Sequence, residues 1–236
     1  MEEKLSGIVL GSINFGENDK ILKIFTLEKG VISAKIKGVK KAGAKLKFAA
    51  EPFSFVEFIF SVRGDFYSVI GASLIDSFYS VREDIIKFFC ASTVIEFVKK
   101  FYKENVESSS AFVITLNALK KIAYEKEPLI SLVESLVLFI KDSGYALTLG
   151  GCEVCGKEIT ERAFFDYRRG GFFCEECFDG IGREISSSTL SALNDVMNSK
   201  QPPSENVVKG LKLLQYYIKE RAEENLTSLD ELIKIL

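Results

Sequence analysis

The chain has no histidine and no tryptophan among its 236 residues. The first absence excludes Ser-His-Asp and Cys-His catalysis and every metal site that needs an imidazole. The second leaves any stacking on a planar ligand to phenylalanine and tyrosine, of which there are 20 and 8. No apolar run approaches the ~18 residues a membrane span needs. The opening Met1-Glu2-Glu3-Lys4 lacks the basic-then-apolar layout of a signal peptide. The expectation is therefore a cytoplasmic, reducing location without membrane contact. Gly150-Gly151 is followed by neither a helix nor Lys-Ser/Thr, so it is not a phosphate loop. Acidic residues are plentiful, but no spaced pair suggests acid–base work or a magnesium site. Glu17 and Asp19 read as turn formers.

Cysteine is scarce, and its distribution is informative. Four of the five cysteines form two Cys-x-x-Cys pairs, Cys152/Cys155 and Cys174/Cys177, about 20 residues apart. Two such turns facing each other supply a tetrahedron of thiolates, the closed geometry of structural zinc. Disulfides or a redox pair would use the same residues. A disulfide scaffold is usually small and cysteine-rich throughout, however, and a thioredoxin-like motif needs a βαβ context. Between the pairs, Phe164-Phe165-Asp166-Tyr167 and Phe172-Phe173 flank Gly170-Gly171, which predicts two short strands and a turn. Cys90, inside Phe88-Phe89-Cys90-Ala91, reads as a packing residue of an apolar helix.

The remaining patterning gives an α+β chain. Residues 4–75 read as five short strands: 5–13, 20–27, 31–39, 53–62 and 66–75. Turns lie at Gly16, at Gly30 and in the hairpin Arg63-Gly64-Asp65. This suits a small closed barrel of the oligonucleotide-binding type. Helices follow. Ser80-Val81-Arg82-Glu83 reads as a capping box before a first helix, and Ala111–Tyr124 as a second. A third opens at Pro128 and stops at Gly144. The first and third are apolar over wide faces and are expected to form one bundle core. Ser186–Asn198, a helix from Ser204, and a second capping box at Ser228-Leu229-Asp230-Glu231 complete the chain. The expected domains are a barrel at 1–79, a helical domain at 80–148 and 181–236, and a zinc-binding segment inserted at 149–180.

The net charge of −2 hides a basic block. Lys35, Lys37, Lys40, Lys41, Lys45 and Lys47 follow one another with no acid between them. Alternation sends Lys35 and Lys37 to one face of a strand. Facing a nucleic-acid backbone, such lysines would release condensed counterions. Phe15, Phe48, Phe53, Phe66 and Tyr67 lie in or beside the predicted barrel and could stack on bases. Equally, the lysines could guard a solvated strand edge while the aromatics fill the core. Arg168 and Arg169, before Gly170-Gly171, could extend a basic surface; an ordinary charged turn is the simpler reading.

Barrel, helices and an inserted Cys-x-x-Cys segment occur here in an order that resembles the bacterial recombination mediator RecO family. Gly16-Glu17-Asn18-Asp19 resembles its Gly-Glu-x-Asp, Lys37-Gly38-Val39-Lys40-Lys41 its glycine followed by basic residues, and Glu51-Pro52-Phe53 its Pro-Phe step. The sequence departs from the family at Ala42-Gly43-Ala44-Lys45 and in lacking a basic C-terminal tail. The resemblance implies a non-enzymatic, nucleoid-associated protein of bacterial recombinational repair. Such a protein binds single- and double-stranded DNA and anneals complementary strands. It helps load the recombinase together with RecR, on strands covered by single-strand-binding protein. On this sequence the resemblance puts zinc on Cys152, Cys155, Cys174 and Cys177. It puts DNA on Lys35, Lys37, Lys40, Lys41, Lys45 and Lys47, with Arg168 and Arg169 behind them. A zinc-bearing protein-interaction scaffold without direct DNA binding is the alternative.

Overall fold

Alternating apolar residues shape the first third of the chain, and the strands they form leave no open sheet edge. In the computed structural model, which describes residues 1–236, five strands close into a barrel. They are β1 (Glu2–Phe15), β2 (Asp19–Thr26), β3 (Gly30–Ile36), β4 (Phe55–Arg63) and β5 (Phe66–Asp76). The spatial order is β1-β2-β3-β5-β4, antiparallel except for the β3–β5 pair. This is the topology expected of an oligonucleotide-binding barrel. Closure depends on β1 serving two neighbours. Its first half pairs with β4 and its second half with β2, across a register shift between Val9 and Gly11. A bulge there bends the long strand around the barrel. Leu5, Leu22, Ile24, Ile32, Ile36, Val56, Phe58 and Phe60 point inward and are buried.

The chain divides into two compact units, Met1–Tyr124 and Glu125–Leu236. The first unit adds helices α1 (Ile85–Phe101) and α2 (Ser109–Tyr124) to the barrel. The Arg82 guanidinium fastens the barrel exit, donating to the carbonyls of Ser77 (2.7 Å) and Pro52 (2.6 Å) and lying over the Phe53 ring. The expected capping box at Ser80 does not start α1. Tyr79–Arg82 is a short 3-10 turn, and Ser80 Oγ donates to the Ala123 carbonyl (2.7 Å). The cap is Asp84, whose carboxylate accepts from the backbone N–H groups of Ile86 (2.8 Å) and Lys87 (3.0 Å). An acid accepting two orphan N–H groups at a helix's positive end is the stronger terminator. Cys90 is fully buried in α1, and burial pushes its thiol up, as a packing residue requires.

The second unit holds α3 (Pro128–Asp142), the strands β6 (Arg162–Asp166), β7 (Gly171–Cys174) and β8 (Arg183–Ser186), then α4 (Ser187–Met197), α5 (Ser204–Ala222) and α6 (Thr227–Ile235). Helix α1 packs on α2 within the first unit, whereas α3 packs on α5 and α4 within the second. Pro128 does open α3, and Gly144, at φ 82°, turns the chain after it. Ser228 lies inside α6 rather than capping it. The strands form a small sheet in the order β7-β6-β8. Phe165 and Phe172 pair across the sheet and are buried with Tyr217 of α5, while Phe173 is buried on the opposite face. The Tyr217 hydroxyl donates to the Ala146 carbonyl. Gly170 sits so close to both groups that a Cβ there would collide with them. No helix is long and apolar enough to cross a membrane.

Candidate metal centre and basic barrel face

Each Cys-x-x-Cys pair is shaped by the backbone around it. In the first, the Cys152 N–H donates to the Lys157 carbonyl (2.9 Å) and the Gly156 N–H donates to the Cys152 carbonyl (2.9 Å). Gly156 turns at φ 71°, a conformation favoured by glycine. Glu153 N–H donates to the Phe172 carbonyl (2.8 Å), hooking this knuckle onto β7. In the second pair, Cys174 ends β7 and a short 3-10 turn, Glu175–Cys177, swings Cys177 round.

The result is four sulfurs that all lie within 4.8 Å of one another, with Cys155 Sγ and Cys174 Sγ 3.9 Å apart. A tetrahedral site with Zn–S bonds of ~2.3 Å has edges of ~3.8 Å. A disulfide would need ~2.0 Å, and all five cysteines are free. The donor set and its spacing therefore fit a four-thiolate metal ion. The thiols are not equivalent. Burial opposes charge on Cys152, but the backbone N–H groups of Cys155, Cys174 and Val154 outweigh it and bring its pKa down to about 6. Thiol contact with Cys174, then burial, pushes Cys177 up to about 12.

The basic residues of this segment are all answered by acids. Arg162 bonds Glu184 twice (3.0 Å each) and Glu175 once (2.6 Å), tying β6 to β8 and to the second knuckle. Its guanidinium holds the Glu184 carboxyl below its ordinary range. Lys157 meets Glu176 at 3.4 Å. Arg168 and Arg169, expected as candidate DNA contacts, both turn onto Asp166, at 3.3 Å and 2.9 Å. Asp166 is buried to 2% exposure. Burial alone would raise its pKa, but the Arg168 N–H and the two guanidinium groups hold it down. Arg169 also pairs with Asp179 (2.9 Å) and lies 4.1 Å over the Phe173 ring. Both arginines thus serve a buried carboxylate at the β6–β7 turn.

The barrel is different. Lys35 lies 3.0 Å from Asp19 and 4.4 Å over the Phe15 ring. Asp19 also accepts from the Gly38 N–H (2.9 Å). That bond, with Lys35 second, lowers its pKa. The expectation that Asp19 shapes a turn is thus met across the β1–β2 turn and the loop after β3. Lys40 N–H, bonded to the Asn18 carbonyl (3.0 Å), closes the same junction. Beyond it the loop steps through successive turns, Lys41 to Gly38, Ala44 to Lys41 and Lys47 to Ala44. Val39 is buried, and Leu46 and Phe48 pack against the barrel core. Lys37, Lys40, Lys41, Lys45 and Lys47 are exposed, and none joins an ion pair.

Register carries this basic edge across the barrel's outer face. Ile13, Ile21, Lys35 and Ser68 stand in one row, and Gly11, Lys23 and Ser33 in the next. Ile13, Phe15, Phe66 and Ile70 are exposed on the outer side, Phe66 to 80%. Of the aromatics considered, Phe53 is buried, Phe48 packs inward and Tyr67 lies edge-on to Phe60, which leaves Phe15 and Phe66 in solvent. Sequence reasoning did not single out Ile13 or Ile70. Period-two alternation outward from Phe15 would have found Ile13. Lys23, in the second row, is already paired with Glu104 at 3.1 Å.

The protein is thus of the class that carries a closed oligonucleotide-binding-type barrel in one unit and a four-cysteine knuckle in a second, helix-rich unit. Family models narrow this. Residues 1–78 match the N-terminal domain of recombination protein O, and residues 82–230 match its C-terminal domain. The DNA repair protein RecO of Acetivibrio thermocellus is 32% identical over 96% of this chain and 94% of its own length. That of Caldicellulosiruptor saccharolyticus is 30% identical over 96% of each. That of Myxococcus xanthus is 24% identical over 97% and 96%. The chain belongs to the RecO family of DNA repair and recombination proteins.

Proposed function

We propose that this protein is a non-enzymatic DNA-binding mediator of recombinational repair. It binds single- and double-stranded DNA on the barrel and anneals complementary strands. With RecR it assists loading of the recombinase onto strands coated by single-strand-binding protein. The observation that carries this reading is the run of five exposed lysines without acid partners, Lys37, Lys40, Lys41, Lys45 and Lys47, beside exposed Phe15 and Phe66. Each lysine that meets a phosphate releases counterions, and exposed aromatic rings accept unpaired bases without regard to sequence. Lys35, already shared with Asp19, orders the edge of that face. Annealing then needs no bond chemistry, because cations that screen two backbones lower their mutual repulsion.

Zinc is the ion this reading assigns to Cys152, Cys155, Cys174 and Cys177. Four protein ligands leave no open position for catalysis, so its role is to pin the knuckle on which β7 ends. Arg168 and Arg169 contribute to DNA contact only secondarily, their first partner being Asp166. The expected division into barrel (1–79), helices (80–148 and 181–236) and metal segment (149–180) is kept as a division of tasks. The scaffold reading, protein binding without DNA, draws on the exposed Ile59, Ile70, Leu74 and Ile75 of β4 and β5. These exposed apolar side chains, on both faces of the β4–β5 pair, suit a protein partner such as RecR. The test is a fluorescence annealing assay with complementary oligonucleotides across salt concentrations. Wild type anneals with a steep salt dependence, and Lys40→Glu/Lys41→Glu does not. Unchanged annealing by the variant would refute the assignment.

A further inference from the structure

The second unit carries a cleft of about 240 Å³ between the edge strand β8, the start of α4 and one face of α5. Three cations line it: Arg183 from β8, and Lys209 and Lys212, three residues apart on one face of α5. They differ from the other basic residues near the metal knuckle. Lys212 joins no ion pair, and Arg183 faces only the Tyr216 ring, 5.6 Å away. Lys209 is loosely held by Glu205 (3.4 Å) and Asn206 (3.2 Å). The one acid on the wall, Glu184, is already neutralised by Arg162. The floor is apolar, made by Leu213, Ile185 and the half-buried Tyr216. A cationic rim over an aromatic and aliphatic floor suits a ligand that is anionic on one side and flat and apolar on the other.

We propose that this cleft holds one unpaired nucleotide of a DNA strand, its phosphate on Arg183 and Lys212 and its base over Tyr216 and Leu213. The ligand class rests on the DNA reading above; the site lies outside the barrel. It gives the second unit its own strand contact, so the protein can hold a strand when its barrel face is disabled. Base–aromatic contact and phosphate neutralisation are the two terms that single-strand sites combine.

The test uses the full chain and an oligothymidylate carrying 5-iododeoxyuridine, photo-crosslinked and mapped by mass spectrometry. A crosslink in the peptide containing Tyr216 is expected, and it persists in Lys40→Glu/Lys41→Glu. It is lost in Arg183→Ser/Lys212→Ala, two exposed side chains whose removal leaves the thermal melt in place. In that variant, the slope of log affinity against log salt falls by about 0.7 for each phosphate contact removed. Crosslinks confined to the barrel would overturn this inference and leave the barrel reading standing. Crosslinks at Tyr216 without any in the barrel would overturn the barrel reading alone. An acidic peptide that crosslinks along β8 while the oligonucleotide does not would show the cleft to be a peptide site and also overturn the proposal.

Discussion

Positive charge is used in two ways in this chain, and the contrast separates structure from function. On the loop after β3, Lys37, Lys40, Lys41, Lys45 and Lys47 project into solvent without acid partners, while Val39 and Leu46 between them anchor the backbone. Around the metal knuckle, Arg162, Arg168, Arg169 and Lys157 each meet a carboxylate. An unpaired surface cation adds little to stability and is available to a polyanion. A cation already held by a buried or bridging acid would have to give up that contact first. The barrel loop is therefore the place to expect salt-dependent binding, and the knuckle the place to expect loss of fold.

The largest effect should come from the knuckle. Replacing Cys152 with Ser removes one of four ligands, and structural zinc in small fingers contributes on the order of 10 kcal/mol or more. Metal analysis should show one zinc per chain in wild type and little in the variant. Circular dichroism should report loss of folded second unit. Chelation of wild type should do the same. Retained metal and an unchanged melt would place the fold's support elsewhere.

Next is Asp166→Ala, which removes the acceptor of the Arg168 N–H and of two guanidinium groups. It should cost about 2 kcal/mol, read from denaturant midpoints, with DNA affinity nearly unchanged. The pH dependence follows from the sign of the shift. The folded pKa of Asp166 lies below its unfolded value. Its contribution is therefore complete above the ordinary carboxylate range and is lost as pH falls through the folded value. Wild type should lose this increment in acid, and the Ala variant should show a flatter acid limb.

Smaller in stability, but not in binding, is Phe66→Ala. A side chain exposed to this degree contributes little to the core. The melt should stay put, while single-strand affinity, followed by fluorescence anisotropy, weakens by about 1–3 kcal/mol for the stacked base lost. A strong affinity loss accompanied by unfolding would contradict the assignment of Phe66 to the ligand face.

Much of this contrast could be read from sequence, and the rest could not for identifiable reasons. The two Cys-x-x-Cys pairs fix a ligand set because sulfur spacing is a local property. The barrel follows from period-two alternation with turns at Gly16, Gly30 and Gly64. Partnership between side chains is not local in the same way. Nothing in Arg168-Arg169 says that both will turn onto Asp166, because that depends on Asp166 being buried beneath the turn. Apolar faces on the first and third helices announce burial but not against what: α1 packs on α2, and α3 on α5 and α4. The Ser80 box fits the capping pattern, but Asp84, four residues on, is the better acceptor. Arg183 lies some 30 residues from Lys212 and Tyr216 and meets them only where β8 and α5 line one cleft.

The lysine loop gives the most direct test. Wild type and Lys40→Glu/Lys41→Glu should unfold at the same denaturant concentration, within about 0.5 kcal/mol as expected for exposed surface changes. In the same preparations, annealing of complementary oligonucleotides at low salt should be fast for wild type and close to the uncatalysed rate for the variant. Equal annealing by two equally stable proteins would contradict the claim that these unpaired cations are the working surface.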